Sequence, residues 1–255
     1  MADDVAMRWL TAFLDFPADS FDAGVAFWRS VTGYGLSPSR GEDGQFATLL
    51  PPSGDAYLRV QRVVSGAGGC HLDLHIDVTV TSLDSAAARA VELGAVVRYR
   101  EQDELTILDS PGGFTFCLVS WDGESAVPGP LATNGGVSRV DTLCLDVPSA
   151  EFKRECAFWS ALTGWEQWPA RVPGFIYLQR PPGLAAQLLL QRLERAAPGQ
   201  RVAGHVDLGC ADEHALSLHV GLGARVVGAH PYWTVLADPA GREYCLVDRE
   251  PDDGR

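Results

Sequence analysis

The sequence predicts an α+β protein of two tandem domains, each reading strand, helix and three strands and then the same series again. The first observation behind this is that three segments return in the same order roughly 130 residues later, as two copies of one fold with small loop insertions would. Phe27-Trp28 to Thr32-Gly33 returns as Phe158-Trp159 to Thr163-Gly164, and His71-Leu72-Asp73-Leu74 returns as His205-Val206-Asp207-Leu208. Pro111-Gly112-Gly113-Phe114-Thr115-Phe116-Cys117-Leu118-Val119 returns as Pro239-Ala240-Gly241-Arg242-Glu243-Tyr244-Cys245-Leu246-Val247. The second observation is that 255 residues with 46% hydrophobic content can bury two cores of ordinary domain size. The third is a stretch rich in Pro, Gly and Asn between the copies. Residues 1–121 are therefore read as the first domain, 122–138 as a connector and 139–255 as the second domain.

The elements follow in order. Residues 8–16 form a short apolar run stopped by Pro17, which reads as a strand. A helix follows, capped by Asp19 or Ser20, with Phe21, Val25 and Trp28 on one face and Gly33 as a left-handed stop. In the second copy that stripe is Phe152, Cys156 and Trp159, stopping at Gly164. A short strand is placed at 34–36. Strands at 45–50 and 56–63 flank the turn Pro51-Pro52-Ser53-Gly54-Asp55, and their partners at 175–179 and 186–193 flank Pro181-Pro182-Gly183.

The second half of each domain restarts with a strand at 71–78, a helix capped at Thr81 or Ser82 and ended at Gly94, and strands at 96–99, 105–108 and 114–119. The C-terminal counterparts are 205–210, a helix ending at Gly221 or Gly223, then 225–227, 233–236 and 243–247. The tail at 250–255 carries no predicted role.

Composition excludes several function classes. The net charge of −13, from 33 acidic and 20 basic residues without a basic stripe, is wrong for a nucleic-acid or anionic-membrane partner. No apolar stretch approaches the ~20 residues needed to span a bilayer, and the acidic start Met1-Ala2-Asp3-Asp4 is no export signal. The six cysteines lie mostly in apolar runs without CxxC spacing, which points to buried thiols in a reducing compartment, the cytoplasm. Lys153 is the single lysine beside 19 arginines, read as bacterial base composition.

Taken together, the helix ending Phe-Trp-x-x-x-Thr-Gly, the His-led strand, the helix ending Leu-Gly-Ala and the turn Asp238-Pro239-Ala240-Gly241 before a closing strand resemble the glyoxalase/bleomycin-resistance/extradiol-dioxygenase family, the vicinal oxygen chelate superfamily. In the first copy Ser110 stands where that turn has Asp. The Phe/Tyr-Cys-Leu ending further resembles a glyoxalase-like branch common in actinobacteria. The resemblance implies paired βαβββ modules that form a curled sheet around a ligand cavity. It also implies a metal held by the first, fourth, fifth and eighth strands. Carried onto this sequence, those positions are Thr11, Gln61, His71 and Cys117, and again Thr142, Gln191, His205 and Cys245.

Where such enzymes use carboxylate, this chain has Cys, and Thr is a poor ligand for a divalent ion unless deprotonated. The sequence therefore favours a cavity that binds a small organic molecule, such as a toxic natural product to be sequestered, without a metal cofactor. An alternative is a lyase, isomerase or dioxygenase with one divalent metal on His71, Gln61 and Cys117 or on His205, Gln191 and Cys245. A further alternative is metal-free catalysis with His205 or His71 as general base. A nucleophilic cysteine would need a nearby cation such as one of these histidines.

Trp165, Trp168, Tyr232 and Trp233 lie in or beside loops and read as flat walls for a planar ligand, which favours the second domain as the specialised one. His214, His219 and His230 have no counterpart in the first copy and read as surface residues. A homodimer is open as an assembly.

Overall fold

The computed structural model describes residues 5–64, 69–133, 136–210, 212 and 214–251. Asn134 and Gly135 of the expected connector and most of the expected tail lie outside the described residues. The first half of the chain carries β1 (Met7–Pro17), α1 (Phe21–Thr32), β2 (Gly35–Leu36), β3 (Phe46–Leu50), β4 (Leu58–Val63), β5 (Gly69–Ile76), α2 (Leu83–Glu92), β6 (Val96–Glu101), β7 (Leu105–Asp109) and β8 (Thr115–Ser120). The second half carries β9 (Leu131–Thr133), β10 (Gly136–Pro148), α3 (Phe152–Thr163), β11 (Gln167–Pro169), β12 (Phe175–Leu178), β13 (Gln187–Leu193), β14 (Ala203–Cys210), α4 (Ala215–Gly221), β15 (Arg225–Ala229), β16 (Trp233–Ala237) and β17 (Glu243–Val247).

The fold is α+β with two open mixed sheets, ordered β2-β3-β4-β1-β5-β8-β7-β6 and β11-β12-β13-β10-β14-β17-β16-β15. β5 and β14 run parallel to β8 and β17, whereas the outer strands pair antiparallel. Two short elements escape the sequence pattern. β9 adds to β10 at the end of the expected connector, and the exposed three-residue β11 pairs with β12. Both are too short for alternation to register. No described helix is long and apolar enough to cross a membrane.

Contacts within the chain form two compact units that each draw on both halves of the sequence. One unit comprises Met1–Ala12, His71–Ser125 and Cys144–Gly204; the other comprises Phe13–Cys70, Ala126–Leu143 and His205–Arg255. In the first, Trp159 and Phe158 of α3 meet Phe116 of β8, with ring centroids 5.1 and 5.8 Å apart. In the second, Trp28 and Phe27 of α1 meet Tyr244 of β17 at 5.2 and 5.8 Å. Both tryptophans are fully buried, so each indole N–H needs an internal acceptor.

The two units supply that acceptor differently. In the second unit the closing turn provides it: Asp238 accepts from Trp28 Nε1 at 2.9 Å and also from the amides of Ala240 and Arg242 at 2.9 and 3.0 Å. In the first unit Ser110 occupies the Asp position and can accept only the Phe114 amide, at 3.0 Å. The missing carboxylate comes from Glu155 of α3, which accepts from Trp159 Nε1 at 2.9 Å, Ser110 Oγ at 3.0 Å and the Gly112 amide. Glu155 aligns with Gly24 of α1 in the helix repeat. A Cβ on Gly24 would sit 2.4 Å from the Phe16 ring, a distance no side chain tolerates. The strand position of Phe16 is Val147 in the second copy, where the smaller side chain accompanies the glutamate.

His219 corrects an expectation. Read as a surface residue for want of a counterpart, it is fully buried on α4, and its Nδ1 lies 2.8 Å from the Tyr244 hydroxyl. Burial lowers its pKa from 6.5 to about 4. A depressed histidine contributes stability above its unfolded pKa and loses it as pH falls through the folded value. Stability is therefore expected to drop by about 3 kcal/mol between pH 6.5 and pH 4 on this account. Urea midpoints measured across that window should fall in the wild type and fall distinctly less in His219→Leu; parallel curves would remove His219 as the cause.

Candidate metal and ligand site

Strand alternation builds the polar site. Along β5, Leu72, Leu74 and Ile76 are fully buried on one face, which sends His71, Asp73 and His75 to the other. The parallel register sets Asp73 opposite Cys117 of β8. One ligand atom each of His71, Asp73 and Cys117 then lies within 4.8 Å of the other two.

The second unit repeats the arrangement, with Asp207 of β14 opposite Cys245 of β17 and His205 beside them, again within 4.8 Å. His205 Nε2 is 3.2 Å from Asp207 Oδ1 and 3.6 Å from Cys245 Sγ. Among the described residues, Asp207 Oδ1 is enclosed with no hydrogen bond, only this contact to the His205 ring. Such an oxygen is costly unless a cation faces it. A charged His205 ring or a metal ion would serve.

The first-strand threonines are otherwise engaged. Thr11 Oγ1 lies 2.9 Å from His75 Nε2, whose Nδ1 stands 3.3 Å from Glu124 Oε1. Thr142 accepts from Arg249 Nη2 at 3.0 Å and donates to Asp141 at 3.2 Å, beside a buried Asp141–Arg249 ion pair. Gln61 lies on β4 across from Phe46, and Gln191 on β13 accepts from the Cys144 thiol at 3.8 Å. Each glutamine belongs to the compact unit that does not contain the histidine of its own half.

Among the loop aromatics, Trp168 and Tyr232 are exposed at 41% and 45%, and the half-buried Trp233 stacks on His230 at 4.5 Å. Trp165 is buried, so it is a core residue and forms no wall. His214 is exposed and pairs with Asp212. The six cysteines are buried and none is in a disulfide. Burial pushes the thiols of Cys70 and Cys156 up to about 12 and about 11, which keeps them protonated and unreactive.

Sequence reasoning missed Asp73 and Asp207 as donors, although His-x-Asp spacing on a strand places both side chains on one face. His75, Glu124, Asp141 and Arg249 carried no such signal, because their positions differ between the copies. The donor set fits a divalent ion. Histidine nitrogen, carboxylate and thiolate are all zinc ligands, and three of them leave a position open. Ligand atoms around a tetrahedral zinc stand about 3.4–3.6 Å apart, close to the 3.2 and 3.6 Å measured from His205 Nε2.

The sequence matches the family described as Glyoxalase-like domain over residues 11–119 and again over 142–247. No curated protein matches it. Among solved structures, the chain is similar to a Mn(II)-bound glyoxalase from Novosphingobium aromaticivorans, at 16% identity and TM-score 0.64, covering 100% of this chain and 87% of that one. It is also similar to BphC, a halotolerant catechol dioxygenase, at 15% identity and TM-score 0.60 over 98% and 90%. A third is the 2,2',3-trihydroxybiphenyl 1,2-dioxygenase of Sphingomonas wittichii strain RW1, at 16% and 0.61 over 94% and 90%.

Proposed function

Since the chain belongs to the glyoxalase-like domain family, one copy in each half, we propose that it binds a small organic molecule on the polar strand face around His205, with a divalent ion held by His205, Asp207 and Cys245. The observation that carries this reading is the recurrence of the same three donors at the same register in both halves. A bound ion would act as a Lewis acid toward an oxygen of the organic molecule. Asp207 and Cys245 are buried, whereas the His205 side chain is 14% exposed, so the cluster has one edge turned to solvent. The exposed rings of Tyr232 and Trp168 offer flat apolar surface for an aromatic ligand.

Protein purified without chelator should retain a divalent metal. His205→Ala should weaken its binding by at least about tenfold, since even outer-shell changes cost about 10–100-fold. A thermal-shift panel of aromatic metabolites should then find ligands whose stabilising effect depends on the metal. Metal-free protein that no metabolite stabilises would end this reading.

A second reading, sequestration of a toxic organic molecule without metal, is favoured by the threonines. Both first-strand positions are hydrogen-bonded to protein groups, which removes the first-strand donor that the family resemblance implies. It predicts that a ligand's stabilising effect survives chelation undiminished.

A further inference from the structure

We infer that the protein takes up two ions of the zinc class, one on each His/Asp/Cys cluster, each held by a thiolate and by a carboxylate two residues after the histidine. This rests on the metal reading above and goes beyond it in ion class and in number, adding a second ion on His71, Asp73 and Cys117. Family resemblance pointed to a carboxylate at the position of Cys117 and Cys245. Here the carboxylate stands instead on the neighbouring parallel strand, as Asp73 and Asp207, directly opposite those cysteines.

Charge supports the exchange. A carboxylate and a thiolate supply two negative charges, so a divalent ion makes each buried cluster neutral, and a neutral set is the one a low-dielectric site tolerates. Geometry supports it in the second unit. The spacings from His205 Nε2 match two edges of a zinc tetrahedron, and Asp207 Oδ1 is enclosed beside them with no hydrogen bond among the described residues. Ligand chemistry then selects the ion. Thiolate suits zinc and its close analogues and is a poor partner for manganese, which prefers carboxylate and water. Because the first unit presents the same three residue types within the same distance, it takes up its own ion. On binding, each thiol loses its proton to solvent while the sulfur electron pair forms the bond to the ion.

Titration of the chelator-treated full-length protein with Co²⁺ tests this. Absorption from thiolate-to-cobalt charge transfer should grow to two equivalents per chain, with proton release in step. Cys117→Ser and Cys245→Ser should each halve the band, and Asp207→Asn should weaken one site at least about tenfold, by the scale of ligand-shell changes. Peptide mapping of wild-type alkylation supplies a readout that needs no variant to fold: Zn²⁺ should protect Cys117 and Cys245 specifically. One equivalent, with its band lost in Cys245→Ser, would overturn the inference and leave the metal reading standing, whereas Mn²⁺ binding with no charge-transfer band from Co²⁺ would overturn both, since both place a thiolate on the ion. Failure of every divalent ion to bind would overturn both.

Discussion

Arg249→Met is expected to lower folding stability by about 4 kcal/mol, because it strips the partner from a buried carboxylate. Asp141 and Arg249 are paired with 1% and 7% of their side chains exposed, and the guanidinium reaches both carboxylate oxygens and Thr142. Removing the cation takes away the charge that faces the enclosed Asp141 carboxylate. The pair also fixes its neighbour: a Cβ on Gly209 would lie 2.7 Å from Asp141 Oδ2 and 2.9 Å from Arg249 Nη1.

The first half of the chain has uncharged residues where this pair stands in the repeat, Leu10 for Asp141 and Trp121 for Arg249. The double variant Asp141→Leu/Arg249→Met should therefore recover most of the loss, as apolar replacements of buried pairs do. Urea unfolding of the two variants and the wild type decides it. A single variant within 1 kcal/mol of wild type would show that the pair is dispensable.

Glu155→Ala should cost a similar amount, about 4 kcal/mol, since it leaves the Trp159 indole, the Gly112 amide and the Ser110 hydroxyl without their acceptor. Burial is the largest influence on this carboxyl and raises its pKa, while the three donors pull it back down. A raised carboxyl binds its proton more tightly in the folded state, so its contribution is greatest below the unfolded pKa and declines as pH rises through the folded one. Glu155→Gln keeps one acceptor oxygen and should lose less than Ala. Ser110→Asp combined with Glu155→Gly transplants the arrangement of the other unit and should regain part of the loss. Equal stability of Glu155→Ala and the transplant would show that a carboxylate at position 110 does not serve the Trp159 indole.

The sequence made the duplicated strand and helix order legible because each element repeats with its own periodicity. The stripe of Phe21, Val25 and Trp28 is buried, and Gly33 and Gly164 both end their helices in the left-handed region. The histidines and cysteines of the candidate clusters stand out in the sequence for the same reason, by recurring in both copies. Their aspartates are not legible there as donors, because it is the parallel register that sets Asp73 opposite Cys117 and Asp207 opposite Cys245 across strands. His219 was misplaced because absence of a counterpart was read as exposure. Its partner Tyr244 stands where the first copy has Phe116, which has no hydroxyl to pair with a histidine. The Ser110 substitution was visible, but its compensation by Glu155 joins segments distant in sequence.

The division into units built from both halves bears on how such a chain could have arisen. A half-length ancestor with this packing had no partner for its own helix: the face that α1 presents to β17, and α3 to β8, is completed by the other copy. Two identical ancestral chains would have met that need by interlacing, and gene fusion would then have made the exchange permanent. The glutamate of one helix and the aspartate of the other turn record what followed. With a different carboxylate at each junction the copies are not interchangeable: pairing two first-half copies would leave both buried tryptophans without a carboxylate, and pairing two second-half copies would crowd two carboxylates at each.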